Sequence, residues 1–159
     1  MSADGGRVSA RLAELGLTLP PVAKPVAAYV PAVRSGDLVW TSGQLPFVDG
    51  ELPATGKVGA EVDPEQAADL ARICALNAIA AVHAEIGDLD RVRRVVKVVG
   101  FVASDPSFTG QPAVINGASG LLGDVFGDAG RHARSAVGVP VLPLGAVVEI
   151  DAIFALGPA

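Results

Sequence analysis

At 159 residues the chain has the length of one domain with a full hydrophobic core. Half of it is apolar, built mainly from small side chains with few aromatics, and the formal charge of −5 argues against nonspecific binding to a polyanion. A single cysteine forbids an internal disulfide and argues against a thiolate metal site, and two histidines spell no zinc motif.

Met1 to Gly6 is small and polar, and disorder is expected there. Val8, Leu12 and Leu15 have helical spacing, with Gly16 as the stop, so a short helix is predicted. Leu17 to Pro25 is proline-rich and reads as an extended arm, which sets residues 1–25 apart from a single domain over 26–159. Ala28 to Arg34 reads as a strand that Pro31 confines to a sheet edge or a bulge. Ser35-Gly36-Asp37 then turns the chain into a second strand, Leu38 to Thr41. Ser42-Gly43-Gln44-Leu45-Pro46 leaves the sheet, and Phe47 to Gly59 is a surface loop. A glycine directly after an apolar strand permits close approach of a ligand or of another stretch of backbone.

Asp63-Pro64-Glu65-Gln66 is a helix start, with Asp63 as cap, Pro64 at the first helical position and Gln66 at the capping-box position. The helix runs to about Ile86 and stops at Gly87. Its Cys74 is expected to be a buried small hydrophobe. Val92 to Ala103 is the longest strand, and Gln111 to Phe126 a second helix whose glycines at 117, 120 and 123 permit close packing on a neighbour. The chain then closes with Ala133 to Val141 and Ala146 to Ile153, read as a hairpin around Leu142-Pro143-Leu144-Gly145. The order hairpin, helix, strand, helix, hairpin predicts an α+β sandwich with both helices on one face of a mixed sheet. No apolar run of bilayer length is expected, and the default setting is a reduced cytoplasm.

The closing hairpin would put Arg134 and Glu149 on adjacent strands at similar distances from the turn. A charge in a core strand is costly unless it is paired or in use. A cross-strand ion pair is one reading, and an anion-binding arginine beside an acid or base the other. Beyond these two, the inventory for chemistry is Tyr29, Asn116 and the Ser42-Gly43-Gln44 backbone. No GxGxxG or P-loop follows a strand, and no Ser-His-Asp or Cys-His set is evident.

From Tyr29 onward the sequence resembles the RidA (YjgF) family of reactive intermediate deaminases. The resembling pieces are YVPAV up to Arg34, TSGQLP at 41–46, FVASDPSF at 101–108, VIN ending at Asn116, and ARSAVGV with LPLGAVVEIDAI. The added RLAELGLTLP is similar to a longer branch labelled endoribonuclease-like or translation inhibitor. The resemblance implies a chorismate-mutase-like α+β fold, with three subunits packing their sheets into a barrel and clefts between neighbours. It implies cofactor-free and metal-free hydrolysis of enamines and imines such as 2-aminoacrylate to the 2-oxo acid and ammonia. Arg134 would clamp the substrate carboxylate, with Glu149 orienting or activating water. Tyr29 and Asn116 would line the cleft, and Gly43 would let the chain pass close to the ligand. Archetypal members often carry cysteine two residues after the arginine; here it is Ala136, which leaves only backbone contacts at that position. The competing expectations are a carboxylate-binding or regulatory trimer without turnover and, at odds with the charge, a ribonuclease. No membrane partner is expected and nucleic acid is disfavoured.

Overall fold

The computed structural model describes residues 6–22 and 27–158. The expected disorder of residues 1–5 and the part of the proline-rich arm at 23–25 lie outside the described residues. Helix α1 is Arg7–Glu14. No side chain of its own first turn caps it; instead the Asp90 carboxylate accepts the N–H groups of Arg7 at 2.7 Å and Val8 at 2.8 Å. Two otherwise unpaired helix-end donors are thereby satisfied from a distant part of the chain. Val8 and Leu12 face inward and join the main core. Gly16, at φ +68°, ends the helix, and the Leu17 N–H returns to the Leu12 carbonyl at 2.9 Å.

The sheet has five strands: β1 Ala32–Ser35, β2 Leu38–Thr41, β3 Val92–Ala103, β4 Ala133–Val139 and β5 Val148–Leu156. It is mixed, in the order β1-β2-β5-β3-β4. β1 begins at Ala32, later than the strand predicted from Ala28, and it is an edge strand, as Pro31 requires. The larger correction concerns the closing hairpin. β4 and β5 do not pair: β4 runs parallel to β3, β5 runs antiparallel to β3, and β3 lies between them. The turn at 142–145 does form, with Leu144 and Gly145 both at positive φ, but it carries the chain across the end of β3. The physical reason is the composition of β3. It is the longest strand and rich in valine, so it gains most from neighbours on both edges, whereas a hairpin would leave one of its edges bare.

Helix α2, Pro64–Ile86, starts as the sequence signals: Asp63 Oδ1 accepts the Gln66 N–H at 2.8 Å, and Gly87 at φ +77° ends it. Helix α3, Gln111–Phe126, packs alongside it on the same face of the sheet. Gly117 makes that contact possible, because a Cβ there would overlap the Ala68 carbonyl; Gly120 and Gly123 meet nothing and carry no such role. Between helices and sheet lies one core, with Val95, Val98 and Val102 of β3 and Ile150, Ala152 and Phe154 of β5 buried against Leu70, Cys74 and Ile79 of α2 and Ile115, Leu121 and Leu122 of α3. Phe126 meets Phe154 edge to face, with ring centroids 6.1 Å apart. By length and composition α2 is apolar enough to cross a bilayer, contrary to the expectation that no stretch would be. Its apolar side is spent on the sheet and α3, which is why a core helix passes the same test.

The opposite face of the sheet has no helix over it. At one end Phe101, Ala103 and Val139 form a small second cluster with Leu45, Leu52, Leu142 and Ala146. Further along, Val33, Trp40 and Val137 stand exposed.

Candidate active site

Strand alternation decides where the candidate side chains point. Arg134 pairs with Val98, whose side chain is buried under the helices, so Arg134 points to the helix face. Glu149 pairs with Phe101, on the opposite face. The two lie on strands separated by β3 and on opposite faces, so the cross-strand ion pair considered from the sequence is absent within the chain. Among the described residues no carboxylate lies within 4.0 Å of the Arg134 guanidinium.

What holds Arg134 is neutral. Its Nη1 donates to Asn116 Oδ1 at 2.7 Å and to Ser119 Oγ at 3.2 Å. Asn116 and Ser119 stand three residues apart on α3, hence on one side of it, and α3 crosses the end of β4 where Arg134 emerges. Both hydrogens of Nη1 are thereby used. The Nε and Nη2 groups have no protein acceptor among the described residues, and they form one side of the guanidinium fork, the geometry that takes a carboxylate through two parallel bonds. Asn116 is exposed, with its amide nitrogen at the same rim. Ala136, two residues on from Arg134 and facing the same way, is half-buried against the core and pairs with Gly100. A methyl there brings no chemistry beyond packing.

The sequence reading did not single out Ser119 or His132, and the structure adds both. His132 Nδ1 lies 2.7 Å from the Gly130 carbonyl, and Nε2 lies 2.9 Å from Ser119 Oγ. A signal for them was present in the spacing. His132 precedes Arg134 by two residues, the period of a strand face, and Ser119 comes three residues after Asn116, the period of a helix face.

A second group forms on the open face. Gly43 passes so close to Glu149 that a Cβ at 43 would lie 2.6 Å from Glu149 Oε1. The backbone pair Gln44 and Ile150, which exchanges hydrogen bonds at 2.7 and 3.1 Å, fixes that approach. Partial burial, and then the charge of Asp151 on the same face, raises the Glu149 carboxyl above its usual range; burial also raises Asp151. A carboxylate so placed is a better proton acceptor than one in water. Tyr29 is exposed on the segment leading to β1, next to Val30, whose carbonyl accepts the Ser42 hydroxyl at 2.6 Å. Among the described residues it makes no hydrogen bond to Arg134 or Glu149. Thus Arg134, Asn116 and Ala136 come together on one face, Gly43 and Glu149 on the other.

Two shallow hollows of about 370 and 520 Å³ open elsewhere, between β1 and α2 and between residues 19–22 and α2, and none of the candidate side chains lines either. Cys74 is buried, and burial pushes its thiol well above the ordinary range, as for an inert core cysteine. Among the described residues no group of three or more His, Cys, Asp or Glu side chains could hold a metal ion.

Comparison with known proteins places this geometry in a family. A family model described as "YjgF/chorismate mutase-like, putative endoribonuclease" matches residues 9–156. Protein TCP17 of Trypanosoma cruzi is 51% identical over 152 residues, 95% of either chain. The crystal structure of Atu1372 from Agrobacterium tumefaciens, described as of unknown function, superposes with a TM-score of 0.88 at 50% identity, over 94% of this chain and 92% of that one. Escherichia coli TdcF, crystallised with bound serine, superposes with a TM-score of 0.62 at 28% identity, over 86% of this chain and 94% of that one. With the mixed five-stranded sheet, the helices on one of its faces and a family match over nearly the whole length, the chain belongs to the YjgF/chorismate-mutase-like family.

Proposed function

We propose that the protein is a cofactor-free hydrolytic deaminase of small enamines and imines of the 2-aminoacrylate type, releasing a 2-oxo acid and ammonia. One observation carries the reading: a guanidinium held through a single nitrogen by two neutral side chains, its remaining fork open at an exposed rim. A guanidinium whose charge no carboxylate within the chain neutralises, with a fork of donors open, is suited to clamp an incoming carboxylate. The serine bound to the related TdcF is a small amino acid with the same carboxylate, which agrees with the ligand class. An imine carbon is already electrophilic, so a carboxylate clamp and a placed water suffice to accelerate its hydrolysis.

In this reading Arg134 clamps the carboxylate, Asn116 orients Arg134, and the chain at Ala136 lies under the ligand. Glu149, passed closely by Gly43, orients the attacking water, and Tyr29 closes the cleft. Because Arg134 and Glu149 occupy opposite faces of one sheet, a site using both takes them from neighbouring copies. A homotrimer with its sheets packed together satisfies that requirement and covers Val33, Trp40 and Val137. A carboxylate-binding protein without turnover is the second reading, favoured by the fact that one chain alone presents a clamp and no acid or base carboxylate beside it. RNA cleavage, named in the family's description, has less support, since the chain is acidic.

The test is hydrolysis of 2-aminoacrylate generated in situ by a coupled dehydrating enzyme. Wild type should accelerate it, and Arg134→Ala should lose at least about a hundredfold in kcat/KM while keeping its fold, the loss of a charge-assisted bidentate contact. Saturable binding of a 2-oxo acid with no acceleration would replace the enzyme reading with the binding one.

A further inference from the structure

For a neutral imidazole, the hydrogen bonds around Ser119 and His132 fit one assignment of protons. The Gly130 carbonyl only accepts, so the imidazole carries its hydrogen on Nδ1. In the neutral ring Nε2 is then bare, and the contact to Ser119 Oγ at 2.9 Å is a bond donated by the hydroxyl. Arg134 Nη1 only donates, and it meets the same Oγ at 3.2 Å on a lone pair. Three contacts are thus mutually consistent: a serine that gives its proton to an anchored imidazole, under a guanidinium that favours negative charge on the oxygen. One lone pair of Oγ is left over. Because Oγ shares Nη1 with Asn116, it sits on the clamp's own guanidinium, one nitrogen removed from the open fork. Among the described residues Arg134 is the one ionisable group in hydrogen-bond contact with the pair. A hydroxyl bonded to a base, with the base oriented by a third group, is the arrangement that moves protons at catalytic sites.

We propose that Ser119 and His132 form the proton-transfer unit of the Arg134 site, with the serine hydroxyl as the relay between bound substrate and the imidazole. This rests on the deaminase reading. Water adds to C2 of a protonated imine whose carboxylate sits on Arg134. The C–O bond forms, the C=N pair moves to nitrogen, and one water proton passes to Oγ as the Ser119 proton passes to His132 Nε2. The product of this half is a neutral carbinolamine beside an imidazolium. The imidazolium then returns its proton through Oγ to the amine. The C–N bond breaks as the carbinolamine hydroxyl becomes the carbonyl, and its proton leaves with ammonia as ammonium. The imidazole ends neutral, so protonated imine plus water has become 2-oxo acid plus ammonium with nothing else consumed. Ser119 is the catalytic residue of the pair, while His132 acts through it as a positioning and proton-holding residue.

The experiment measures in-situ 2-aminoacrylate hydrolysis by wild type, Ser119→Ala, Ser119→Thr and His132→Gln, each checked for folding by circular dichroism. Ser119→Ala and His132→Gln should lose about 10²-fold or more in kcat with KM within a few-fold of wild type. Ser119→Thr, which keeps the hydroxyl, should recover most of it. Turnover by wild type with Ser119→Ala and His132→Gln within about twofold of it, or a loss confined to KM, would overturn the relay and leave the deaminase reading standing. No acceleration by wild type would overturn both.

Discussion

Of the nitrogens of Arg134, Nη1 is committed to Asn116 and Ser119, and Nε and Nη2 are open. The neutrality of the two partners bears directly on anion binding. A carboxylate partner would compete with an incoming anion for the same charge, whereas an amide and a hydroxyl fix direction and leave the charge unspent. Asn116 is therefore expected to act on orientation. Asn116→Ala removes an exposed charge-assisted bond worth about 1 kcal/mol after allowance for solvent, so the KM for an imino acid should rise roughly fivefold. The thermal midpoint should stay within a few degrees, because Asn116 is exposed and has no part in the core. A drop of Tm with KM unchanged would instead make Asn116 a helix-stabilising residue with no hold on the site. Glu149 shows the complementary situation: partial burial and Asp151 raise it, and only Gly43 leaves room for it.

The elements differ in how firmly they are attached, and α1 is the most exposed to solution conditions. Its two leading N–H groups rest on Asp90, whose carboxyl is held below the usual range first by the Val8 N–H and then by that of Arg7. A carboxyl lowered in the folded state stabilises above its ordinary range, and that contribution is lost as pH falls through the lowered value. Amide exchange over residues 8–14 should accelerate in acid ahead of exchange in β3, and Asp90→Ala should produce the same loosening at neutral pH. Uniform acceleration in both elements would mean that α1 and the sheet open together. Most elements were legible from local chemistry: the Asp63-Pro64 start of α2, the Gly16 and Gly87 stops, and the full extents of β3 and α3. The separation of β4 from β5 by β3 was not. A turn with positive φ at Leu144 and Gly145 looks the same whether its flanking strands touch or straddle a third, since strand order is set by long-range burial and not by the turn. The same limit hid the site's second tier. Arg134 stood out in the sequence as a strand charge that had to be paired or in use, but Ser119 and His132 become meaningful only when α3 crosses the end of β4.

For the whole molecule, the proposed reaction draws oligomerisation into the chemistry. One face lies under α2 and α3, while the other exposes Val33, Trp40 and Val137 and carries the half-buried Glu149 and Asp151. Trp40 is 49% exposed and Val33 51%, too much apolar surface in one strip to stand uncovered in water. The proposed trimer covers this strip and brings a Glu149 to the Arg134 of another copy. A single chain cannot do so, because β3 and the thickness of the sheet separate the two. Light scattering should accordingly give three times the chain mass. The sharper check is complementation. Arg134→Ala and Glu149→Gln, each impaired alone, should regain activity when co-expressed, since in randomly mixed trimers about one quarter of the sites would combine an intact Arg134 with an intact Glu149. Mixing the two variants after separate purification, without subunit exchange, should restore nothing. If co-expression also restores nothing although mixed trimers are isolated, both groups would have to act from one chain. The opposite-face geometry denies them that, so Glu149 would then drop out of the mechanism and leave proton handling to the groups around Arg134.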